Sequence, residues 1–293
     1  MTTARDIQRR IRSVTNIGKV TRAMEAVSAS KMRRAQAATL ASRAYATKAA
    51  EVLAYLRAQP GAGALLLHPL LKDNAAGRAV VVLMTPDRGL TGGLVLNVIR
   101  FALVTTRTRL GTEVAWVGVG RKGSAFLARQ GAKLLADFAD VPDAPSVLEV
   151  TPVARLLIDG YLAQDFASVH LVYAGFRSVV RQEPVFERLL PIAVPDEIDE
   201  LPAEYTFEPS PEAVLNEVLP RLLELRLYQA VLEAQASEHS ARMVAMRNAT
   251  DAADDLVGDL SLSYNKARQA DITGELLDIA GGAEALRQAM ASG

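Results

Sequence analysis

Residues 3–57 contain no proline and one glycine, Gly18. Within them apolar or small side chains recur in steps of three and four at Ile7, Ile11, Val14, Ile17, Thr21, Met24, Ser28, Met32, Ala35 and Ala38. That spacing predicts one continuous helix with a narrow apolar seam. At 1.5 Å rise per residue, roughly 55 residues make a rod of about 80 Å, too long for a small domain to enclose. Such a helix needs a partner helix. The chain supplies one at its other end, where Ser210 as N-cap and Pro211 at the first helical position predict a helix start. A second seam runs from there through Leu215, Val218, Leu222, Leu225, Gln229, Leu232, Ala236, His239, Met243, Met246, Ala249, Ala253, Leu256, Leu260, Tyr264 and Ala267. Its spacing averages about 3.5 residues, the period of a left-handed supercoil. Two ends of one chain on one rod predict antiparallel helices, the second reaching about Ala285 and projecting beyond the first.

The middle follows a different period. AVVVLM (79–84), EVAWVGV (113–119), KLLADF (133–138) and SVHLVYAGF (168–176) are short runs rich in β-branched residues, and helical patterns at 93–109, 122–130 and 146–164 alternate with them. Strands alternating with helices predict a mainly parallel sheet covered on both faces. PVFERLLPI (184–192) is a further strand able to pair antiparallel at an edge. The fold class is therefore α/β: a long antiparallel left-handed coiled coil of the terminal helices plus a central Rossmann-like domain. Linkers at QPGAGALLLHPLLKDNAAG and VPDEIDELPAEYTFEPSP set the expected divisions at 1–58, 59–209 and 210–293.

Composition removes several function classes. The chain of 293 residues has no cysteine, so it has no disulfide framework, thiolate metal site or cysteine nucleophile. It has no uncharged apolar run long enough to span a bilayer and no signal-peptide core at MTTARDIQRRIRS, so membrane association is expected only through partners. The zero net charge conceals an uneven distribution. Residues 1–57 hold twelve Lys and Arg against three acids, and 211–289 hold seven against thirteen. The first helix is thus a basic collar, with Lys19, Arg22, Lys31, Arg33 and Arg34 around its seam. A nucleic-acid arm, a solvated face and a contact for an acidic protein all fit that charge. Aromatic interleaving for base stacking is absent apart from Tyr45 and Tyr55.

Two glycine motifs invite a nucleotide. In GVGRKG, Gly118, Gly120 and Gly123 follow a strand, precede a helix and have Asp140 twenty residues past Gly120, as in a dinucleotide fingerprint. A tight strand-to-helix turn makes the same demand on glycine. PDRGLTGGL (86–94) also follows a strand but lacks the lysine of a phosphate loop. His68, His170 and His239 have no metal-ligand spacing, and Asp254, Asp255 and Asp259 suit a solvated face better than a catalytic pair.

RIRSVTNIGKVTRAMEAVSASKMRRAQ at one end and ASEHSARMVAMRNATDAADDLVGDLSLSYNKARQADITGELLDIAGGAEAL at the other closely resemble the two ends of the gamma subunit of F-type ATP synthase. In ITGELLDIAGGAEA, residues Ile272, Thr273, Glu275, Asp278, Gly282, Ala283 and Ala285 match the family's C-terminal signature. DRGLTGG and HPLL resemble family segments as well, so the likeness covers nearly the whole chain. Gly18, Asp271 and Gly274 depart from the usual residues, and Thr91 stands where the family often has cysteine.

The resemblance implies a rotor shaft with no catalytic residues, coupling ion-driven rotation of the membrane c ring to ATP synthesis or hydrolysis at the β-subunit sites. Its implied partners are three α and three β subunits, the epsilon subunit and the c-subunit ring, with no nucleic acid. Implied too are no cofactor on this chain, ATP, ADP and Mg in the α and β subunits, and a place on the cytoplasmic face of a bacterial plasma membrane. Carried over by position, Met24 and Thr91 would lie near the acidic lever loop of β, with Lys31, Arg33 and Arg34 adding positive potential. Arg268 and Gln269 would meet a second β loop, and Arg242, Thr273 and Glu275 fall in the region that governs coupling. Tyr205 and Glu208 are the candidates for the c-ring and epsilon side. The alternative from the residues alone is a Rossmann-like nucleotide-binding enzyme using GVGRKG.

Overall fold

The computed structural model describes residues 3–58, 68–193 and 210–291. Helix α1 spans Ala4–Ala58 and α5 spans Pro211–Ala291. Between them lie β1 (Arg78–Met84), α2 (Leu94–Leu110), β2 (Val114–Val119), α3 (Arg121–Arg129), β3 (Leu134–Phe138), α4 (Thr151–Leu162), β4 (Phe166–Phe176) and β5 (Gln182–Leu190). The segment predicted as one helix over 146–164 is split: a 3₁₀ turn at Val147–Glu149, closed by the Ser146 and Glu149 capping box, precedes α4 and its early Pro152. Pro152 has no N–H to donate to the Leu148 carbonyl, so a continuous i−4 ladder cannot run through this turn.

The chain forms two compact units, one of Val27–Val244 and one of Met1–Ala26 with Ala245–Gly293. In the first, five strands lie in the order β3-β2-β1-β4-β5. The first four are mutually parallel, and β5 closes one edge antiparallel to β4, as expected from the sequence. Alternation along each strand divides the core. Val81, Leu83, Trp116, Val172 and Ala174 face α2 and α3. Val80, Val82, Val117, Val169 and Leu171 face α4 and the first turns of α5.

This second layer explains why α5 departs from a simple seam there. Leu215, Leu219, Leu222, Leu223, Leu227 and Val231 all enter the core beneath the sheet. Leu225 and Leu232, on other sides of the helix, are buried too. At about 2 kcal/mol for each buried leucine, that contact outweighs the roughly 3 kcal/mol cost of Pro220 inside the helix. Ser210 caps the helix as predicted, its Oγ accepting from the Ala213 amide at 3.2 Å. Higher on α1 in the same unit, Gln229 of α5 donates to the Ser42 carbonyl at 3.3 Å.

In the other unit, α1 and α5 pair antiparallel. Glu25 meets Arg247 at 2.9 Å, Thr21 meets Thr250 at 2.7 Å and Arg22 meets Asp254 at 2.8 Å. Gly18 comes beside Ala253. Burial along α1 then corrects the predicted seam at one place: Ile17 is 53% exposed, and Gly18 occupies the seam instead. With Ile7, Ile11, Val14 and Thr21 the true steps are four, three, four and three, a seven-residue repeat. On α5, Leu256 is exposed and Val257 takes the seam. The small pair Gly18 and Ala253 lets the backbones approach closely, which fixes the phase more strongly than the bulk of Ile17. Beyond that contact α5 continues helical through Gly274, Gly281 and Gly282 to Ala291, past the expected Ala285.

Candidate functional site

The loops at the C-terminal ends of β1, β2 and β3 are where a doubly wound sheet presents a ligand crevice. Here that crevice is bounded by Thr85, Asp87, Gly120 and, from α5, Val231, Gln235 and Glu238. Its wall carries two carboxylates and no basic side chain, the wrong charge for a pyrophosphate. Asp87 also fills the anion place at the start of α3: its Oδ1 accepts from the Arg121 amide at 2.9 Å and its Oδ2 from the Asp140 amide at 3.1 Å.

The three glycines answer to packing. A Cβ on Gly120 would stand 1.7 Å from the Thr85 carbonyl oxygen, and one on Gly118 would stand 2.0 Å from Ser124 Oγ. Gly120 also has φ 96°, in the left-handed region. Asp140, the acid of the fingerprint reading, is paired with Arg121. GVGRKG is therefore a close strand-to-helix turn, and the dinucleotide reading finds no support in the geometry.

What the same loops do hold is α5 and α1. Gln235 Nε2 donates to the Pro142 carbonyl at 2.7 Å, and the Tyr228 hydroxyl donates to the Pro145 carbonyl at 3.2 Å. Lys31 of α1 donates to Asp143 Oδ2 at 2.6 Å. Three residues of one loop, Pro142, Asp143 and Pro145, thus receive side chains from two helices. Arg242 reaches the β1–α2 loop, donating to the Gly89 carbonyl at 3.4 Å, and Ser240 donates to the Val179 carbonyl of the β4–β5 hairpin at 2.6 Å. Arg242 is itself buried and is held by Glu238 at 2.6 Å and by His239 Nδ1 at 3.3 Å.

Electrostatics fix the protonation states of this cluster. Burial, with Arg242 adding to it, lowers the His239 pKa to about 4 against a smaller opposing pull from Asp143. The imidazole is neutral at pH 7, so Nδ1 accepts from Arg242. Burial raises the Glu238 pKa and Arg242 opposes it. Burial also pushes the Asp143 carboxyl up, but the hydrogen bond and charge of Lys31 outweigh it and hold that group below the usual range. The cluster has no nucleophile with an adjacent base. Its chemistry is cohesive: it ties two long helices to three loops of one domain.

The residues singled out from the sequence fall into separate groups. Lys31 and Arg242 belong to this cluster, and Thr91 is buried in the adjoining β1–α2 loop. Arg33 and Arg34 are exposed on α1. In the other unit Met24 is half-buried, and Arg268, Gln269, Thr273 and Glu275 are exposed on α5. Tyr205 and Glu208 lie outside the described residues. Asp143, Gln235 and Tyr228 escaped the sequence reading. Two signals were visible: the proline-bracketed acid in VPDAP and the i, i+4 spacing of Glu238 and Arg242. Among the described residues no group of His, Asp and Glu has the arrangement of a metal site, and no helix is long and apolar enough to cross a membrane.

A family model described as ATP synthase matches residues 3–286. The chain is 46% identical over 98% of its length to the whole ATP synthase gamma chain of Herpetosiphon aurantiacus. It is 47% identical, with the same coverage, to the whole gamma chain of Dehalococcoides mccartyi strain BAV1. Among solved structures, a chain of the Euglena gracilis mitochondrial ATP synthase OSCP/F1/c-ring assembly shares the fold with a TM-score of 0.68 at 19% identity, over 97% of this chain and 94% of that one. A chain of the Tetrahymena thermophila ATP synthase central stalk/c-ring structure aligns with a TM-score of 0.59 over 78% of this chain and 99% of that one, at 22% identity. Matched from end to end in sequence, and alike in its paired terminal helices and doubly wound domain, the chain belongs to the ATP synthase gamma chain family.

Proposed function

We propose that this chain is the rotating shaft of an ATP synthase, transmitting rotation from a membrane ring to catalytic sites carried by other subunits. The near-full-length identity to gamma chains carries the proposal. The central-stalk assemblies containing its structural neighbours support α, β and c-ring subunits as partners. The chain makes and breaks no bond of ATP. Nucleotide and Mg bind in the partner subunits, and this chain is peripheral, on the cytoplasmic face of a bacterial plasma membrane, with epsilon a further partner.

Under this reading the chain's own residues have two tasks. Met24, Arg33 and Arg34 on α1, with Thr91 near the lever contact and Arg268, Gln269, Thr273 and Glu275 on α5, present surfaces to the β subunits. Exposed charge pairs contribute under about 1 kcal/mol each, so such contacts can be released and remade within a turn. Lys31 and Arg242 instead hold α1 and α5 to the loops of the α/β domain, so that torque on the domain reaches both helices.

Reconstitution checks the proposal. Purified with the α and β subunits of its own source, the chain is expected to form a stable complex that hydrolyses MgATP and rotates a probe attached to residue 107, 108 or 109 of α2. A complex that assembles and turns over ATP equally fast with the chain left out overturns it.

A further inference from the structure

One cluster of side chains lies away from both the β-facing positions and the grip on α5. On the α2 side of the sheet, His170 of β4 stands opposite Arg188 of β5 in the antiparallel register. Phe186, two residues along β5 on the same face, stacks on the His170 ring with centroids 5.1 Å apart. The Arg109 guanidinium, from the last turn of α2, lies 5.3 Å from the Phe186 centroid. Two guanidiniums therefore flank one aromatic pair.

Among the described residues, only one of the two cations has an acid within ion-pair reach. Arg109 has no carboxylate partner among the described residues, and Arg188 meets its one acid, Asp73, only at 3.6 Å. Both arginines are exposed, while His170 is 7% exposed. Ser168 Oγ lies 3.0 Å from His170 Nε2, and His170 Nδ1 is buried with no partner. In the tautomer that accepts the serine hydroxyl at Nε2, the neutral ring holds its own proton on Nδ1 and offers it as a donor. Thr106, on the sheet-facing side of α2 with Ala102 and Ile99, also has a buried hydroxyl without a partner. An unsatisfied buried polar group costs about 1–3 kcal/mol. Both groups lie in one layer, beside the unpaired Arg109 and the loosely paired Arg188.

Arg109 and Arg188 bring two cations to this niche, and His170 brings a ring that can donate a hydrogen bond. Guanidinium forks match the oxygens of phosphate in geometry as well as charge. We propose that Arg109, Arg188 and His170 form a binding site for a phosphate oxyanion, taken either free or as a head group. The phosphate displaces Asp73 from Arg188, bridges the two guanidiniums and accepts from the imidazole. The site does not rest on the rotor reading, because every residue in it belongs to the α/β domain of this chain.

The chain has three histidines, His68, His170 and His239, so their ring signals in nitrogen-proton correlation spectra of the full-length protein are separable by single substitutions. Inorganic phosphate is titrated against chloride at constant ionic strength. The expected result is a saturable shift confined to His170 together with a rise in its apparent pKa, since a bound dianion offsets the charges of Arg109 and Arg188. Arg109→Gln and Arg188→Gln are each expected to weaken the apparent affinity at least about tenfold, as loss of a charged fork does. Both side chains are exposed, and unchanged melting temperatures in chloride verify that the variants fold. Sedimentation with phosphatidylglycerol vesicles, against phosphatidylcholine, distinguishes the source: capture lost in Arg109→Gln assigns a head group, and a His170 shift without capture assigns free phosphate. A His170 signal that phosphate leaves unmoved, or that shifts equally in both glutamine variants, overturns the site.

Discussion

His239 carries a stability cost that pH exposes. Its folded pKa of about 4 lies below the ordinary histidine value of 6.5, so between those values the unfolded chain binds the proton that the folded chain refuses. Stability contributed by the neutral ring is present above the unfolded pKa and is lost as pH falls toward 4. A shift of that size is worth on the order of 3 kcal/mol. His170, also lowered to about 4 by burial and then by Arg188 and Arg109, has the same sign. Glu187 and Glu238, raised by burial, work oppositely because the folded chain takes their protons first. A difference experiment isolates one group. His239→Gln is expected to lose stability at pH 7.5 and to show a shallower fall in urea midpoint between pH 6.5 and 4.5 than the parent. Parallel curves for the two would remove His239 from the titration.

Elements in this chain are set by small residues as much as by large ones. Thr21 and Thr250 bury a hydroxyl pair at 2.7 Å, and their backbone acceptors are the carbonyls of Gly18 and Met246. Two hydroxyl protons serve three contacts, so the pair orders a close helix approach while adding little net energy. A Cβ at Gly18 would lie 3.5 Å from the Ala253 Cβ, an ordinary contact. Gly18→Ala is therefore expected to stabilise the helix pair by up to about 1 kcal/mol, the propensity difference between the two residues. Gly120→Ala is expected to destabilise by more than about 3 kcal/mol, because the added methyl meets the Thr85 carbonyl in a backbone conformation alanine disfavours. Chemical denaturation measures both changes. NAD binding by the parent chain that a folded Gly120→Ala variant loses would revive the cofactor reading of the motif.

At the scale of the whole molecule, zero net charge comes from a basic first helix offset by an acidic last one and a mildly acidic middle. Pairs such as Arg22 with Asp254 and Glu25 with Arg247 spend part of that opposition internally, and Arg33 and Arg34 stay exposed. An acidic loop on a partner would read the remainder. Met24→Lys adds a cation to that surface, and in the assembled enzyme it is expected to lower proton pumping per ATP hydrolysed more than it lowers hydrolysis. Parallel measurements of pumping and hydrolysis on inverted vesicles check this, and an unchanged ratio removes Met24 from the coupling contact. The asymmetry of charge was legible in the sequence. Which basic residues are committed within the fold was not: nothing in the spacing of Lys31 announces Asp143, 112 residues away.

Local periodicity determined the element order, the antiparallel edge strand and the need of each terminal helix for a partner, because burial on one face repeats with the geometry of helix or strand. The two end motifs determined the family. Tertiary structure alone decided which side chain meets which. Gly18 displaced Ile17 from the seam because a close backbone approach outweighs one exposed isoleucine. Asp87 and Thr85 claimed the amide and the space that GVGRKG offers a phosphate. Arg242 and Lys31 were drawn to loop groups that approach only when the sheet has closed. Those choices depend on distances across the folded chain, and a periodic pattern carries no record of them.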